Sequence, residues 1–259
     1  MTTLTDTLTR MLSEADTRAA RQVAPGALVI AAVEYPHLDA RAYLAKLDAI
    51  GDQALECVVL NSLGRLANDQ GNLPEALTRY EAALNVARVL GDRRMEGGLL
   101  GNLGGLHHDA GRIDIAKTNY EQALSLAQQV GDRRWEGNAR CNLGLIEYVQ
   151  GHFDRAGAQF KAASTIAQEV GHARLTCTSL CNLGLVLEAQ GDLVKAGDCY
   201  ERAVEGAREH GDRRSEGQFK GHLGLAYARM GRKKEITRFH CLTIRPDRFR
   251  RLIGINNFF

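Results

Sequence analysis

A block of 40 residues recurs five times in this chain without insertion or deletion. Its markers are Gly51-Asp52, Gly91-Asp92-Arg93-Arg94, Gly131-Asp132-Arg133-Arg134, Gly171-His172 and Gly211-Asp212-Arg213-Arg214. Eleven residues after each marker glycine begins a second landmark: Ser62-Leu63-Gly64, Asn102-Leu103-Gly104, Asn142-Leu143-Gly144, Asn182-Leu183-Gly184 and His222-Leu223-Gly224. A further glycine follows seven residues later, at Gly71, Gly111, Gly151, Gly191 and Gly231. A fixed period of this length is the mark of one supersecondary unit stacked on copies of itself. Such an array grows in one direction and needs no central core, so the 259 residues do not imply one or two globular domains.

The apolar pattern says what the unit is. In its first half the stripe runs i, i+4, i+7, as in Leu99/Leu103/Leu106 and Ala139/Leu143/Ile146. In its second half it runs i, i+4, i+7, i+11, as in Ala116/Tyr120/Ala123/Ala127 and Ala156/Phe160/Ala163/Ala167. Both are amphipathic helices with one face to bury. The glycine between the halves marks a tight turn, and the marker glycine closes the second helix. Asp52, Asp92, Asp132 and Asp212 are placed to cap the next helix. Small alanines facing one Tyr or Phe allow close helix pairing with a single ring filling the gap. The expected fold is all-α: a right-handed α-solenoid of about five helix-turn-helix units, starting near residues 51, 91, 131, 171 and 211, behind a small helical N-terminal cap.

The ends depart from the period. Residues 1–50 read as helical segments around Leu8, Met11 and Leu12 and around Tyr43, Leu44 and Leu47, with a short apolar run between them. After Gly231 the pattern fails: Ile236 and His240 stand where Ala and Tyr are due, and Pro246 interrupts the rest. Residues 232–259 carry eight Lys/Arg against two Asp/Glu, which leaves −4 for residues 1–231 given the net charge of +2. The body therefore offers no basic surface for nucleic acid, and only the tail is basic. The longest apolar run, Ala27 to Val33, is too short to span a bilayer, and the first residues lack the basic and apolar regions of a secretion signal. The six cysteines (Cys57, Cys141, Cys177, Cys181, Cys199 and Cys241) sit in helical segments and read as reduced thiols. A cytoplasmic protein is expected, with no nucleic-acid or membrane partner.

Leu-Gly, then Gly, then Ala with Tyr or Phe four residues on and Ala three beyond that, resembles the tetratricopeptide repeat over about 180 residues. The 40-residue unit with its Gly-Asp-Arg-Arg joint is similar to the longer-repeat branch of Pins-type and kinesin-light-chain-type scaffolds. A second likeness covers about 30 residues: Ala27 to Asp39 with Tyr43 to Asp48 resembles the N-terminal helices of a bacterial transglutaminase-like family. The Cys/His core of that family would follow this segment, but repeats follow instead, so no catalytic residue is carried over. No nucleophile, base and orienting group occur together at motif-like spacing, and no cofactor or metal is expected.

The first resemblance implies that the first helices line a concave groove and that the ligand is a peptide segment of another protein. Asn102, Asn142 and Asn182 then form a ladder on that groove, flanked by Ser62 and His222. A mid-helix Asn costs roughly 0.6 kcal/mol against Ala, so three aligned copies ask for a reason. Stacked helices lie roughly 8–10 Å apart and an extended peptide rises about 3.3 Å per residue. One amide per layer thus matches every third peptide residue and offers both donor and acceptor. The alternative is that these amides bond to neighbouring helices and hold the stack in register. Arg65, Leu145, Leu185 and Leu225 line the same column three residues on, with Cys141 and Cys181 beside it. Asn61, Gly101 and Cys141 occupy the column where chaperone-binding members of the family need a lysine, which argues against a carboxylate-clamp partner.

Of three further features, the first two have two readings each. The pairs Arg93/Arg94, Arg133/Arg134 and Arg213/Arg214 grip an acidic partner or pair with Glu96, Glu136 and Glu216. Cys177, Cys181, Cys141 and His172 are buried small residues or a thiolate metal site. Gly97, Gly98, Gly101, Gly104 and Gly105 make one first helix soft, at roughly 1 kcal/mol per glycine relative to Ala. The functional reading is a non-enzymatic scaffold or adaptor. The other two are a regulatory or remnant part of a transglutaminase-like enzyme and a sensor of a small signal peptide.

Overall fold

The computed structural model describes residues 53–232, and within them the chain is helical between short turns. The helices are α1 (Gln53–Asp69), α2 (Leu73–Leu90), α3 (Arg93–Asp109), α4 (Ile113–Gln129), α5 (Arg133–Val149), α6 (Phe153–Glu169), α7 (Ala173–Ala189), α8 (Leu193–Glu209) and α9 (Arg213–Arg229). Eight of these nine are 17 residues long and α2 is 18. This is the all-α repeat architecture that the spacing predicts. The helical segments expected in residues 1–50, the cap Asp52 and the tail after Arg232 lie outside the described residues, as does the segment that resembles the transglutaminase-like family.

The turns explain the regularity. After α3 the Gly111 N–H donates to the His108 carbonyl and the Arg112 N–H to the His107 carbonyl, at 2.9 and 2.8 Å. This paired closure forces a left-handed residue between the helices, and Gly111 sits at φ +73. The same positive φ recurs at every twentieth residue from Gly71 to Gly231, at both kinds of turn. Asp92, Asp132 and Asp212 then cap their helices by accepting the N–H of Met95, Trp135 and Ser215. Asn72, Asp192 and the Nδ1 of His172 do the same at α2, α8 and α7.

Two compact units divide between Leu126 and Ala127, within α4. In the first, α2 packs on α1 and on α3. Its core joins Cys57, Leu60, Tyr80, Leu84, Leu99, Leu103 and Leu106. In the second, each helix from α5 to α9 packs on the next, and α7 also touches α5 and α9. One cluster there holds Phe160, Leu175 and Val186, and another Tyr200, Leu223 and Tyr227.

The Leu-Gly landmark has a steric cause. A Cβ on Gly144 would lie 2.6 Å from the Phe160 ring, and one on Gly184 2.5 Å from the Tyr200 ring. The aromatic of the second helix thus packs directly against the bare backbone of the first. Phe160 and Tyr200 are fully buried, each worth roughly 1.5–3 kcal/mol of apolar burial.

Candidate functional site: the first-helix rows

Once Leu143 and Gly144 are turned inward, the residue before them and the residue after them fall at the border of the buried stripe. Asn142 and Leu145 on α5, Asn182 and Leu185 on α7, and Leu225 on α9 are accordingly half-buried. Leu145 packs beside the Phe160 cluster and Leu185 beside the Tyr200 cluster. A row of amides and a row of leucines therefore run side by side across α5 and α7, each leaving part of its surface to solvent.

The amides differ among themselves. Asn182 donates its Nδ2 to the Sγ of Cys141 at 3.6 Å, a bridge from α7 back to α5. In the first unit Asn102 makes the equivalent bridge from α3 to α1, donating to the Oδ1 of Asn61 at 2.9 Å. Both bridges link residues 41 apart, so the partner of each asparagine is the residue before the equivalent asparagine position. Asn142 makes no side-chain hydrogen bond to the described residues of its own unit. Arg65 is exposed on α1. His222 is only 6% exposed, and its ring stacks on Tyr200 with centroids 5.6 Å apart. Desolvation holds the His222 imidazole below its usual pKa, against the opposite pull of Glu188.

The charged groups near these rows are engaged with one another. Glu188 accepts from the Tyr200 hydroxyl at 2.8 Å and from Arg229 at 2.5 Å. Glu147 meets the Nδ1 of His152 at 2.8 Å. The thiols are pushed up by burial: Cys57 to about 11, with Cys141, Cys177, Cys181 and Cys199 shifted in the same direction. Protonated thiols in apolar surroundings are poor nucleophiles and poor metal ligands. His172, the imidazole considered as their fellow ligand, instead caps α7.

The arginine joints follow no single rule. Arg133 does pair with Glu136, at 2.6 Å, and its other nitrogen reaches Glu169 at 2.5 Å. Glu96, however, is bound by Arg88 at 3.0 Å, and Glu216 by Lys220 at 2.6 Å. Arg88 comes from the last turn of the preceding helix, whereas Lys220 lies one turn on from Glu216, as Arg140 does from Glu136.

Models of the tetratricopeptide repeat match residues 58–93, 95–169 and 178–210. No curated protein matches the sequence. Among solved structures, BtubC (BKLC) from P. vanneervenii superposes with a TM-score of 0.66 at 24% identity, covering 89% of this chain and 91% of that one. The Rap conjugation gene regulator of the plasmid pLS20, in complex with the Phr* peptide, gives 0.61 at 19% identity. That match covers 73% of this chain and 52% of the regulator, so the chain spans about half of its length. The TPR-like repeats of a putative kinesin light chain from Podosopora anserina give 0.56 at 14% identity, covering 74% of this chain and 92% of that one. These likenesses concern the fold.

Proposed function

The chain belongs to the tetratricopeptide repeat family, and we propose that it works as a non-enzymatic scaffold that binds a peptide segment of a partner protein along its first helices. The observation that carries this reading is the pair of half-buried rows, Asn142 and Asn182 beside Leu145, Leu185 and Leu225. A primary amide has two N–H donors and a carbonyl acceptor, and the bridge to Cys141 uses one donor of Asn182. The remaining groups suit the N–H and C=O of an extended backbone, while the leucine row covers apolar side chains. Asn102 and Arg65 offer groups of the same kinds on the first unit, taken by itself. His222 supports the row from beneath, through its packing on Tyr200.

A narrower version has a short free peptide as the ligand, so that the chain acts as a sensor. The Rap regulator that shares the fold binds the Phr* peptide, which favours that version.

The test is affinity capture from native lysate with the wild-type chain and with Asn142→Ala/Asn182→Ala, after circular dichroism shows that both melt alike. A partner held by wild type and lost by the double variant is expected, since two backbone hydrogen bonds amount to about tenfold or more in affinity. Equal capture by both chains would make the ladder a register device and move the binding surface elsewhere. A captured species of peptide size selects the sensor version.

A further inference from the structure

The joint that begins at Gly131 is filled by an ion network. Glu136, 6% exposed, accepts from Arg133 at 2.6 Å, Arg140 at 2.9 Å and Gln128 at 3.3 Å. The second nitrogen of Arg133 crosses to Glu169 at the end of α6. Forty residues further on, the equivalents of Gln128 and Glu169 are kept as Gln168 and Glu209. The rest has changed: Ala173 replaces Arg133, Thr176 replaces Glu136, Leu180 replaces Arg140, and Gly206 replaces Ile166.

The consequence is an open groove of about 470 Å³ among the ends of α6, α7 and α8, lined by Ala173, Thr176, Leu180, Gly206, Glu205 and Glu209. Its volume falls in the range typical of ligand sites, roughly 300–1,000 Å³. Neighbouring side chains fill it only in part. The Thr176 hydroxyl is turned to the His172 carbonyl at 3.3 Å. A Cβ on Gly206 would lie 2.6 Å from the Cys177 Sγ, so the Cys177 thiol takes up the space next to Gly206. Arg202 and His210 also line the space. The His210 Nδ1 lies 2.8 Å from the Gly206 carbonyl oxygen. Glu205 makes a long pair with Arg208, at 3.9 Å between two exposed groups. Two carboxylates against one guanidinium leave the lining net negative. Glu209 stands where its counterpart Glu169 holds a guanidinium.

We infer that this open groove is a binding site for a guanidinium group, the side chain of an arginine on a partner protein, which takes the place that Arg133 fills one repeat earlier. The planar fork of arginine suits a carboxylate better than the point charge of lysine does. The site is separate from the first-helix rows, whose asparagines and leucines do not line it. It therefore stands or falls independently of the proposed peptide site.

The test is amide NMR of the full chain titrated with capped arginine and, in parallel, with capped citrulline, its neutral isostere. Saturable shifts at Ala173, Thr176, Cys177 and Gly206 are expected with arginine and not with citrulline. Glu209→Gln, a change at an exposed position that leaves the fold intact, weakens the response by about two- to fivefold. Ala173→Arg supplies the missing group from the chain itself, so it melts no lower than wild type and no longer responds to capped arginine. Equal shifts with citrulline, shifts confined to other acidic positions, no shifts at all, or unchanged binding by Glu209→Gln would each overturn the inference.

Discussion

The side-chain amide of Asn102 donates to the side-chain oxygen of Asn61, 2.9 Å away and 41 residues earlier. The bond joins α3 to α1 and fixes the register of two successive first helices. A double-mutant cycle on Asn61→Ala and Asn102→Ala should give a coupling of about 0.5–1.5 kcal/mol in urea unfolding, since each single change leaves a half-buried amide without its partner. Strict additivity of the two changes would contradict a register bond.

Two adjacent glycines should respond in opposite directions. A Cβ on Gly104 would meet the Tyr120 ring at 2.6 Å, whereas one on Gly105 would meet only the Tyr120 hydroxyl, at an ordinary 3.7 Å. Gly104→Ala is expected to destabilise by about 1–3 kcal/mol through overpacking. Gly105→Ala is expected to stabilise by about 0.5–1 kcal/mol through helix propensity and a stiffer unfolded chain, and to slow amide exchange along the glycine-rich α3. Thermal melts of the two variants read the sign directly, and a shared sign would refute the packing argument.

His222 makes stability depend on pH. Desolvation lowers its folded pKa from the ordinary 6.5, while Glu188 pulls the other way without restoring it. The unfolded chain therefore binds more protons than the folded one once pH drops below about 6.5, and stability is lost as pH falls through that window. The contribution is fully present above it. His222→Phe keeps a ring against Tyr200 and removes the titration, so its melting temperature should fall less than that of wild type between neutral pH and pH of about 5. Parallel profiles would show that the imidazole is not held neutral by burial.

The fold was legible because its causes are local and repeated. Gly111 and its equivalents announce left-handed turns, Asp92 and Asp132 announce caps, and the Ala-Tyr-Ala stripe announces a ring over Gly104 or Gly184. The site was legible only as a column. Equal spacing made Asn102, Asn142 and Asn182 look alike, yet Asn102 bonds to Asn61 and Asn182 to Cys141, because the bridges run to the residue before the equivalent position. What decides each bridge is the neighbouring column, which holds an amide, a thiol or a bare glycine. His222 sits in the asparagine column but carries a flat ring that packs on Tyr200. The open groove near Glu209 also had a visible signal, the loss of Asp-Arg-Arg after Gly171. Its meaning required knowing that Arg133 spans to Glu169, a contact 36 residues away.

The most direct measurement places a photo-reactive phenylalanine analogue at Leu185, on the first-helix row, and separately at Lys161, exposed on the second helix α6. Both chains are irradiated in native lysate after circular dichroism confirms that they fold. An adduct of defined mass is expected from the Leu185 position, disappearing with Asn142→Ala/Asn182→Ala, and none from Lys161. An adduct from Lys161 alone, or one from Leu185 that survives the double change, would contradict peptide binding along the first-helix row.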